Sequence, residues 1–286
     1  MIQILYLGRV EYDEGLRLQA EVAALVGAGR LQNVLLLLEH PAVLTLGRNA
    51  NRANVLASDA LLAARGVTLH AINRGGDVTY HGPGQLVGYP IFDLRSLRGP
   101  SGGRMGPVDF VRGMEEALIR VCGGFGVAAG RLPGLTGVWC GGTGTREQGL
   151  GTSKAGAERK IGAIGIHVAK GITSHGFAFN VTTDLRDFEL IVPCGIPDHA
   201  VTSLQQELAL LGPDRHSEIP SLEAVAHQAA RQFGMVFGQQ VLAVESLEAL
   251  RDYAKPTLEF PAEDTPAQAP AEVDRLLGVP EHPVRA

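Results

Sequence analysis

The residue best placed for nucleophilic chemistry is Cys194, which lies in the segment IVPCGIPD. Prolines on both sides stiffen this backbone, and Gly195 leaves it free to adopt unusual conformations beside the sulfur. A nucleophilic thiol needs solvent access, a stabilised thiolate and nearby backbone amides for an oxyanion, which such a turn is able to supply. The commoner alternative is a small buried hydrophobic cysteine, and that interpretation is favoured for Cys122 and Cys140.

Lys160 is the second candidate, because it opens the segment KIGAIGIHV. The small residues Gly162, Ala163 and Gly165 follow it, and small residues in a strand leave room for a ligand chain against the backbone. A lysine withdrawn from water loses its proton more readily and is able to act as a base. The commoner alternative is a lysine at a strand end whose ammonium reaches solvent.

Four histidines are candidates for a Cys–His pair: His81, His167, His175 and His199. No HExxH or other metal-binding spacing occurs, and the three cysteines show no CxxC spacing. The favoured interpretation is that most of these histidines are hydrogen-bonded or exposed, and we expect neither a metal site nor a cofactor.

A glycine-rich segment, NRGGDVTYHGPGQLVGYP at Asn73–Pro90, is the third candidate, and its first part, Asn73–Gly84, is predicted to be a loop. Its glycines allow positive φ and a close approach of the backbone to a ligand. Four polar side chains lie on the same segment: Arg74, Thr79, Tyr80 and His81. It lacks the GK[ST] of a phosphate-binding loop and the GxGxxG of a dinucleotide site. A tight hairpin with exposed polar side chains explains the composition equally well.

Composition limits the class of protein. The chain has 286 residues, 45% hydrophobic and 19% charged, with a net charge of −5. Most of that charge lies in residues 256–286, which hold six acidic and two basic residues, so the nearly neutral remainder argues against a nucleic-acid binder. No apolar run is longer than that at Val34–Leu38, which is far too short to span a membrane. Without a signal-peptide pattern or a disulfide framework, we expect a cytoplasmic protein.

The elements that must position these residues form a mixed pattern, which predicts an α/β or α+β sheet with packed helices. The predicted strands are Gln3–Leu7, Asn33–Leu38, Val67–Ile72, Gln85–Asp93, Gly137–Cys140, Lys160–Ala169 and Ser174–Val181. The predicted helices are Asp13–Val26, Ser58–Gly66, Pro107–Cys122, Ser221–Phe237 and Ser246–Tyr253. Two segments read as detached: the polar loop 141–159, and 256–286, a proline-rich acidic tail predicted to be disordered.

Five segments together resemble the octanoyltransferases of lipoic acid synthesis, the LipB-type family. They are LLLLEHPAVLTLGR at 35–48, RGGDVTYHGPGQLVGYP at 74–90, KIGAIGIHV at 160–168, SHGFAFNV at 174–181 and IVPCGI at 191–196. The resemblance covers roughly residues 2–240, and its motifs are long and specific. It implies a single catalytic domain at 1–255, of mixed α/β fold and related to lipoate and biotin protein ligases.

The resemblance also implies an activity: transfer of octanoyl from an acyl carrier protein to a lysine. The implied acceptors are the lipoyl domains of 2-oxoacid dehydrogenase E2 subunits and the glycine-cleavage H protein. Cys194 resembles the acyl-thioester nucleophile, and Lys160 the residue that helps ionise it. The implied acyl-pocket residues are Arg74, Gly75, Gly76, Asp77, Val78, Thr79, Tyr80, His81, Ala163, Ile164, Gly165, Gly176, Phe177 and Ala178.

Two other interpretations compete with this one. An ATP-dependent lipoate or biotin ligase of the same fold would form an acyl-adenylate, bind Mg²⁺ and need no cysteine. A non-catalytic acyl-binding or carrier-docking module would keep the pocket and tolerate the loss of Cys194. The Cys194 and Lys160 segments count against the ligase, and formation of an octanoyl adduct on Cys194 separates the enzyme from the module.

Overall fold

The central feature of the fold is a nine-stranded mixed sheet. The computed structural model describes residues 1–141, 158–196, 198–212 and 219–255. The predicted tail at 256–286, and the predicted loop at 141–159 except for its ends, lie outside the described residues. The strands of this sheet are β1 (Ile2–Arg9), β2 (Asn33–Glu39), β6 (Gln85–Ile91), β7 (Ala129–Leu132), β8 (Leu135–Cys140), β9 (Arg159–Ala169), β10 (Ile172–Asn180), β11 (Ala200–Val201) and β12 (Val241–Ala243).

The strand order is β12-β1-β2-β6-β10-β9-β8-β7, and β11 pairs with β9. Pairing is parallel between β1 and its two neighbours and between β11 and β9, and antiparallel elsewhere in this sheet. The prediction of a mixed α/β fold with packed helices is therefore confirmed.

A second, three-stranded sheet has the order β4-β3-β5. Its strands are β3 (Val43–Leu46), β4 (Thr68–Ala71) and β5 (Val78–His81). Strand β5 lies inside the segment Asn73–Gly84 that the sequence predicted to be a loop, so that prediction was wrong for these four residues. They form a strand because β3 pairs with them in antiparallel register, from Val43 opposite His81 to Leu46 opposite Val78.

In the part of the chain that the structure describes, six α-helices pack around the sheets. They are α1 (Tyr12–Gly27), α2 (Asp59–Ala64), α3 (Pro107–Gly124), α4 (Leu204–Leu210), α5 (Leu222–Phe237) and α6 (Leu247–Tyr253). Their ends follow local chemistry: Ser221 Oγ accepts a hydrogen bond from Ala224 N at the start of α5, and Gly238 ends that helix at φ 61°. None of the described helices is long and apolar enough to cross a lipid bilayer.

The run of apolar residues in β2 explains why the sheet is covered on both faces. Leu35 and Leu37 point into a core beneath α3 and α5, whereas Val34, Leu36 and Leu38 point into a second core beneath α1. A strand that is apolar at every position is typical of a central strand buried on both sides. A third, smaller core lies behind the small sheet.

Candidate active site

A cavity of about 200 Å³ lies between the small sheet and the β9–β10 part of the large sheet. Its lining brings together Cys194, Lys160 and all but two of the predicted pocket residues. The predicted residues present are Arg74, Gly75, Gly76, Asp77, Thr79, His81, Lys160, Ala163, Ile164, Gly165, Gly176, Phe177, Ala178 and Cys194.

The floor of the cavity is built from two cross-strand pairs of small residues. Ala163 lies opposite Ala178, and Gly165 lies opposite Gly176, so the two pairs follow one another along β9 and β10. Since side chains alternate between the faces of a strand, these pairs share the cavity face. Phe177 borders the cavity from between them, while its ring stacks on Phe233 in the core at 5.5 Å. The floor is therefore apolar, and its small side chains leave open space above the two strands.

The roof is the Arg74–Gly76 loop together with β5. Gly75 N–H donates to Ile166 O at 3.0 Å, which holds the loop against β9. The contact depends on Gly165, because a Cβ atom there would lie 2.7 Å from Gly75 O. Thr79 on β5 faces the cavity, next to this loop.

Two predicted pocket residues, Val78 and Tyr80, do not line the cavity. They alternate with Thr79 and His81 on β5 and therefore point to its other face, into the small core. The Tyr80 hydroxyl donates to Asp187 Oδ2 at 2.6 Å. These two side chains hold the strand in place and do not reach the cavity.

Arg74 places a permanent positive charge beside the cavity. Its guanidinium donates to Thr45 O, Thr45 Oγ1 and Gly75 O, and the side chain is only 8% exposed. Burial lowers the pKa of Arg74, and the charges of nearby groups, Cys194 first among them, oppose that shift. Within the described part of the chain no carboxylate forms a salt bridge with Arg74, so its charge is available to an anion in the cavity.

Cys194 sits on a turn that its neighbours hold in an uncommon conformation. Its φ of 57° is in the left-handed region, which few non-glycine residues adopt. Val192 N–H donates to Asn54 O at 2.7 Å, and the Asn54 side-chain amide donates to Asp77 Oδ2. A Cβ atom on Gly195 would lie 2.6 Å from that same oxygen. Asp77 thus supports the turn as well as lining the cavity.

The other two cysteines are fully buried. Burial and the neighbouring thiol of Cys140 both raise the pKa of Cys122; the hydrogen bond between the two thiols is the larger cause. Neither lines the cavity, whereas Cys194 is partly exposed to it. The structure therefore leaves Cys194 as the cysteine that a ligand in this cavity meets.

Lys160 enters the cavity from the start of β9. The side chain is 7% exposed, and its ammonium lies 4.6 Å from the centroid of the Trp139 ring on β8. Its backbone is fixed on both sides, since it pairs with Trp139 and with Val201 of β11. Lys160 and Cys194 thus line one cavity from two different elements.

Two histidines of the lining are kept neutral by burial. Gln85 Nε2 donates to Asn180 Oδ1 at 2.9 Å, which leaves Gln85 Oε1 to accept from His81 Nδ1 at 2.8 Å. Burial lowers the pKa of His81 to about 3 and that of His175 to about 4. At neutral pH the Nδ1 of His81 therefore carries the proton, and its Nε2 is left as an acceptor.

The other two candidate histidines lie elsewhere: His167 is partly buried on β9, and the ring of His199 lies against Trp139, 5.1 Å between centroids. None of the hydrogen bonds in the described residues joins a histidine to Cys194. The same residues contain no cluster of three side chains able to hold a metal ion.

Six further residues line the cavity that the sequence did not assign to the acyl pocket, although His175 among them was a candidate for a Cys–His pair. They are Tyr12, Val87, Tyr89, Thr136, His175 and Ile196. Val87 and Tyr89 share the cavity face of β6, and their alternation in QLVGYP was the available signal. Tyr12 reaches the cavity from α1, a contact that depends on tertiary packing and leaves no local pattern.

The fold resembles that of lipoate protein ligases. The bipartite lipoate protein ligase of Thermoplasma acidophilum superposes with a TM-score of 0.61 at 17% identity, covering 88% of this chain and 89% of that chain. A lipoate-protein ligase A bound with ATP gives a TM-score of 0.60 at 16% identity, covering 89% and 93%. At such identities the likeness concerns the fold alone.

Sequence comparison identifies the family. The pattern of the lipoyl protein ligase A/B catalytic domain matches residues 11–234. An octanoyltransferase of Acidobacterium capsulatum is 57% identical over 248 residues, which is 86% of this chain and 94% of that protein. An octanoyltransferase of Koribacter versatilis is 49% identical over 96% of this chain and 97% of its own length. The chain therefore belongs to the octanoyltransferase family of acyltransferases, within the lipoyl protein ligase A/B fold.

Proposed function

We propose that this chain is a cytoplasmic enzyme that moves an octanoyl group from octanoyl-acyl carrier protein to the acceptor lysine of a lipoyl domain. The observation that carries the proposal is the joint position of Cys194 and Lys160 at one cavity with an apolar floor. The acceptors would be lipoyl domains of 2-oxoacid dehydrogenase E2 subunits and the glycine-cleavage H protein. The family membership supports the transfer of octanoyl. The identity of the donor and of the acceptors goes beyond that membership and is part of the proposal.

In the first half-reaction the Cys194 thiolate attacks the carbonyl carbon of the donor thioester. The new C–S bond forms as the bond to the carrier sulfur breaks, and Lys160 gives its proton to the departing thiolate. The side chains of Lys160 and Arg74 both lie at the cavity in which the thiolate reacts. Exchange between two thioesters costs little free energy, so no ATP is required.

In the second half-reaction the neutral amine of the acceptor lysine attacks the Cys194 thioester. A C–N bond forms, the Cys194 thiolate leaves, and Lys160 takes the proton released by the amine. Each group then has its starting charge, and the amide product makes this step favourable. Lys160 thus acts first as an acid and then as a base.

The acyl chain would lie on the floor formed by Ala163, Gly165, Gly176 and Ala178. About seven carbons beyond the carbonyl, at ~0.8 kcal/mol per buried CH₂, would contribute roughly 5 kcal/mol to binding. Small side chains leave that space open, and the Arg74–Gly76 loop covers it. The fixed roof would also restrict water near the thioester.

The test is intact-mass measurement after mixing the protein with octanoyl-acyl carrier protein. We expect one octanoyl adduct, located on Cys194 by peptide mapping, and its loss when a lipoyl domain is added. Cys194→Ser should form no labile thioester and transfer nothing, whereas Cys122→Ser and Cys140→Ser should retain most of the transfer. Near-normal turnover by Cys194→Ser would refute the thioester mechanism. Binding of the donor without any adduct would favour the non-catalytic module.

A further inference from the structure

The Lys160 ammonium lies over an aromatic face and not against a carboxylate. Its Nζ is 4.6 Å from the centroid of the Trp139 ring, inside the range of about 6 Å for a cation–π contact. Trp139 is fully buried and Lys160 is 7% exposed, so little water screens the contact. Within the described residues no acidic side chain forms a salt bridge with Lys160. Among the described residues, the indole face of Trp139 is thus the group that contacts the charge of Lys160.

A shift in strand register creates this contact. Val138 of β8 pairs with Gly162 of β9, but the next residue, Trp139, pairs with Lys160. One step along β8 thus corresponds to two steps along β9, and Ile161 is passed over. That irregularity sets the indole directly opposite the lysine. An unshifted register would pair Trp139 with Ile161 and leave Lys160 without this partner.

The lysine stem also passes close to Gly137 on the same strand β8, whose φ is 128°. A Cβ atom there would lie 3.4 Å from Lys160 Cε and 2.6 Å from Gly162 O. Gly137 N–H donates at 3.0 Å to Glu115, a buried carboxylate that Arg112 and Arg131 also contact. The strand that carries the indole is therefore fixed at the point where it borders the lysine.

We propose that Trp139 is the positioning residue for Lys160, its π face holding the ammonium where it serves Cys194. The assignment rests on the proposed function, because it presupposes that Lys160 and Cys194 act together. A lysine side chain has four rotatable bonds, and confinement over a ring selects a few of its conformers. Trp139 does not line the cavity; besides Lys160 it contacts the ring of His199, which also lies outside the lining, so Lys160 is its link to the cavity.

Fluorination of the indole gives the sharpest test, because the chain contains a single tryptophan. Growth on mono-, di- and trifluorotryptophan changes this ring alone and weakens the negative charge of its face while nearly preserving its size. We expect the turnover number for octanoyl transfer to fall stepwise, by on the order of tenfold at three fluorines, with an unchanged Michaelis constant. The pH profile of Cys194 alkylation by iodoacetamide should move stepwise to higher pH.

Three controls separate this role from ordinary packing. In a Lys160→Ala background, fluorination should leave the alkylation profile unchanged, because no ammonium remains to respond. Trp139→Phe should retain more turnover than Trp139→Leu, since a phenyl ring keeps a weaker π face. Phe110→Leu removes a fully buried ring on the other side of the large sheet, so it should lower the melting temperature without moving the alkylation profile.

The outcomes distinguish this assignment from the proposed function. If the octanoyl adduct forms on Cys194 and Lys160→Ala moves the alkylation profile, but fluorination changes neither turnover nor profile, the assignment to Trp139 is wrong and the function stands. If no adduct forms on Cys194 in the unmodified protein, the proposed function itself fails. Equal losses in Trp139→Phe and Trp139→Leu, matched by equal losses of melting temperature, would also overturn the positioning role.

Discussion

The roles proposed for Lys160 and for Cys194 depend on different surroundings. The thiol lies on a strained turn that Asn54 and Asp77 support, whereas the ammonium lies over Trp139 at the point where the pairing of β8 and β9 shifts register. The sequence indicates the first environment, because prolines and Gly195 flank the cysteine. It gives no sign of the second, since the contact depends on a register shift between β8 and β9.

At this scale we predict separate effects of charge and of proton transfer at Lys160. Lys160→Ala should move the pH profile of Cys194 alkylation to higher pH, because a positive charge that favours the thiolate is lost. Lys160→Arg keeps that charge, so its alkylation profile should stay closer to that of the native protein. It should still fail to transfer octanoyl, since a guanidinium does not give up its proton near neutral pH.

The first effect is measured by alkylation with iodoacetamide from about pH 5 to about pH 10, because thiols and amines titrate within this range. Transfer to a lipoyl domain measures the second. An unchanged alkylation profile in Lys160→Ala would remove Lys160 from activation of the thiol, and full transfer by Lys160→Arg would remove its role as a base.

At the scale of elements, β9 and β10 provide the floor of the cavity through paired small residues. The sequence predicted both strands and the space above Ala163 and Gly165. It did not predict that Gly176 would lie opposite Gly165, because register is set by pairing between strands far apart in the chain. For the same reason β5 was taken for a loop: its four residues lie between glycines and become a strand only through pairing with β3.

The floor predicts how chain length is selected. Ala178→Leu adds three carbons to the cavity face beside Ala163, and we expect the rate with octanoyl-carrier protein to fall at least about tenfold. The rate with a shorter acyl chain, such as butanoyl, should fall much less. Competition between the two donors, followed by mass spectrometry, gives the ratio of the octanoyl rate to the butanoyl rate.

A matched control lies on the opposite face of β9. Ile166 packs against the core beneath α3 and α5 and does not line the cavity, so Ile166→Leu should leave the ratio of the two donors unchanged. If Ala178→Leu lowered both rates equally, the acyl chain would not lie on this floor.

At the scale of the whole molecule, the net charge is negative, whereas the surface beside the cavity carries an exposed positive charge. The chain carries −5, so steering of an acidic carrier protein must come from a local group. Arg48 and Arg52 follow β3 in the chain and are the two candidates for such a group. In the structure Arg52 is paired with Asp59 at 2.7 Å, while exposed Arg48 forms no salt bridge within the described residues. Arg48 N–H also donates to Arg74 O, which places Arg48 beside the roof of the cavity.

We therefore predict that Arg48→Glu raises the Michaelis constant for octanoyl-carrier protein, more than Arg52→Glu does. A small donor such as octanoyl-pantetheine should be much less affected. The difference should shrink as salt rises, because exposed charges are screened beyond roughly 10 Å at about 0.1 M ionic strength. Equal losses on both donors, insensitive to salt, would mean that Arg48 shapes the cavity and does not dock the carrier.

The predicted boundary between a catalytic domain at 1–255 and a tail at 256–286 also belongs to this scale. The tail is acidic and proline-rich, and the family pattern ends at residue 234. We propose that the domain functions alone, and we predict that a chain ending at Lys255 keeps its melting temperature and its rate of transfer. Differential scanning calorimetry and the transfer assay provide the check, and a large loss in either would show that residues 256–286 contribute.

The single tryptophan has a use beyond its contact with Lys160. All indole emission from this protein arises at one buried ring, 4.6 Å from Lys160, which in the proposed mechanism gives up its proton when Cys194 is acylated. Loss of a charge at that distance alters the field across the indole, and therefore the wavelength and yield of its fluorescence. Stopped-flow spectroscopy of the unlabelled protein would then record acylation as a fast optical phase and transfer to the acceptor as its reversal.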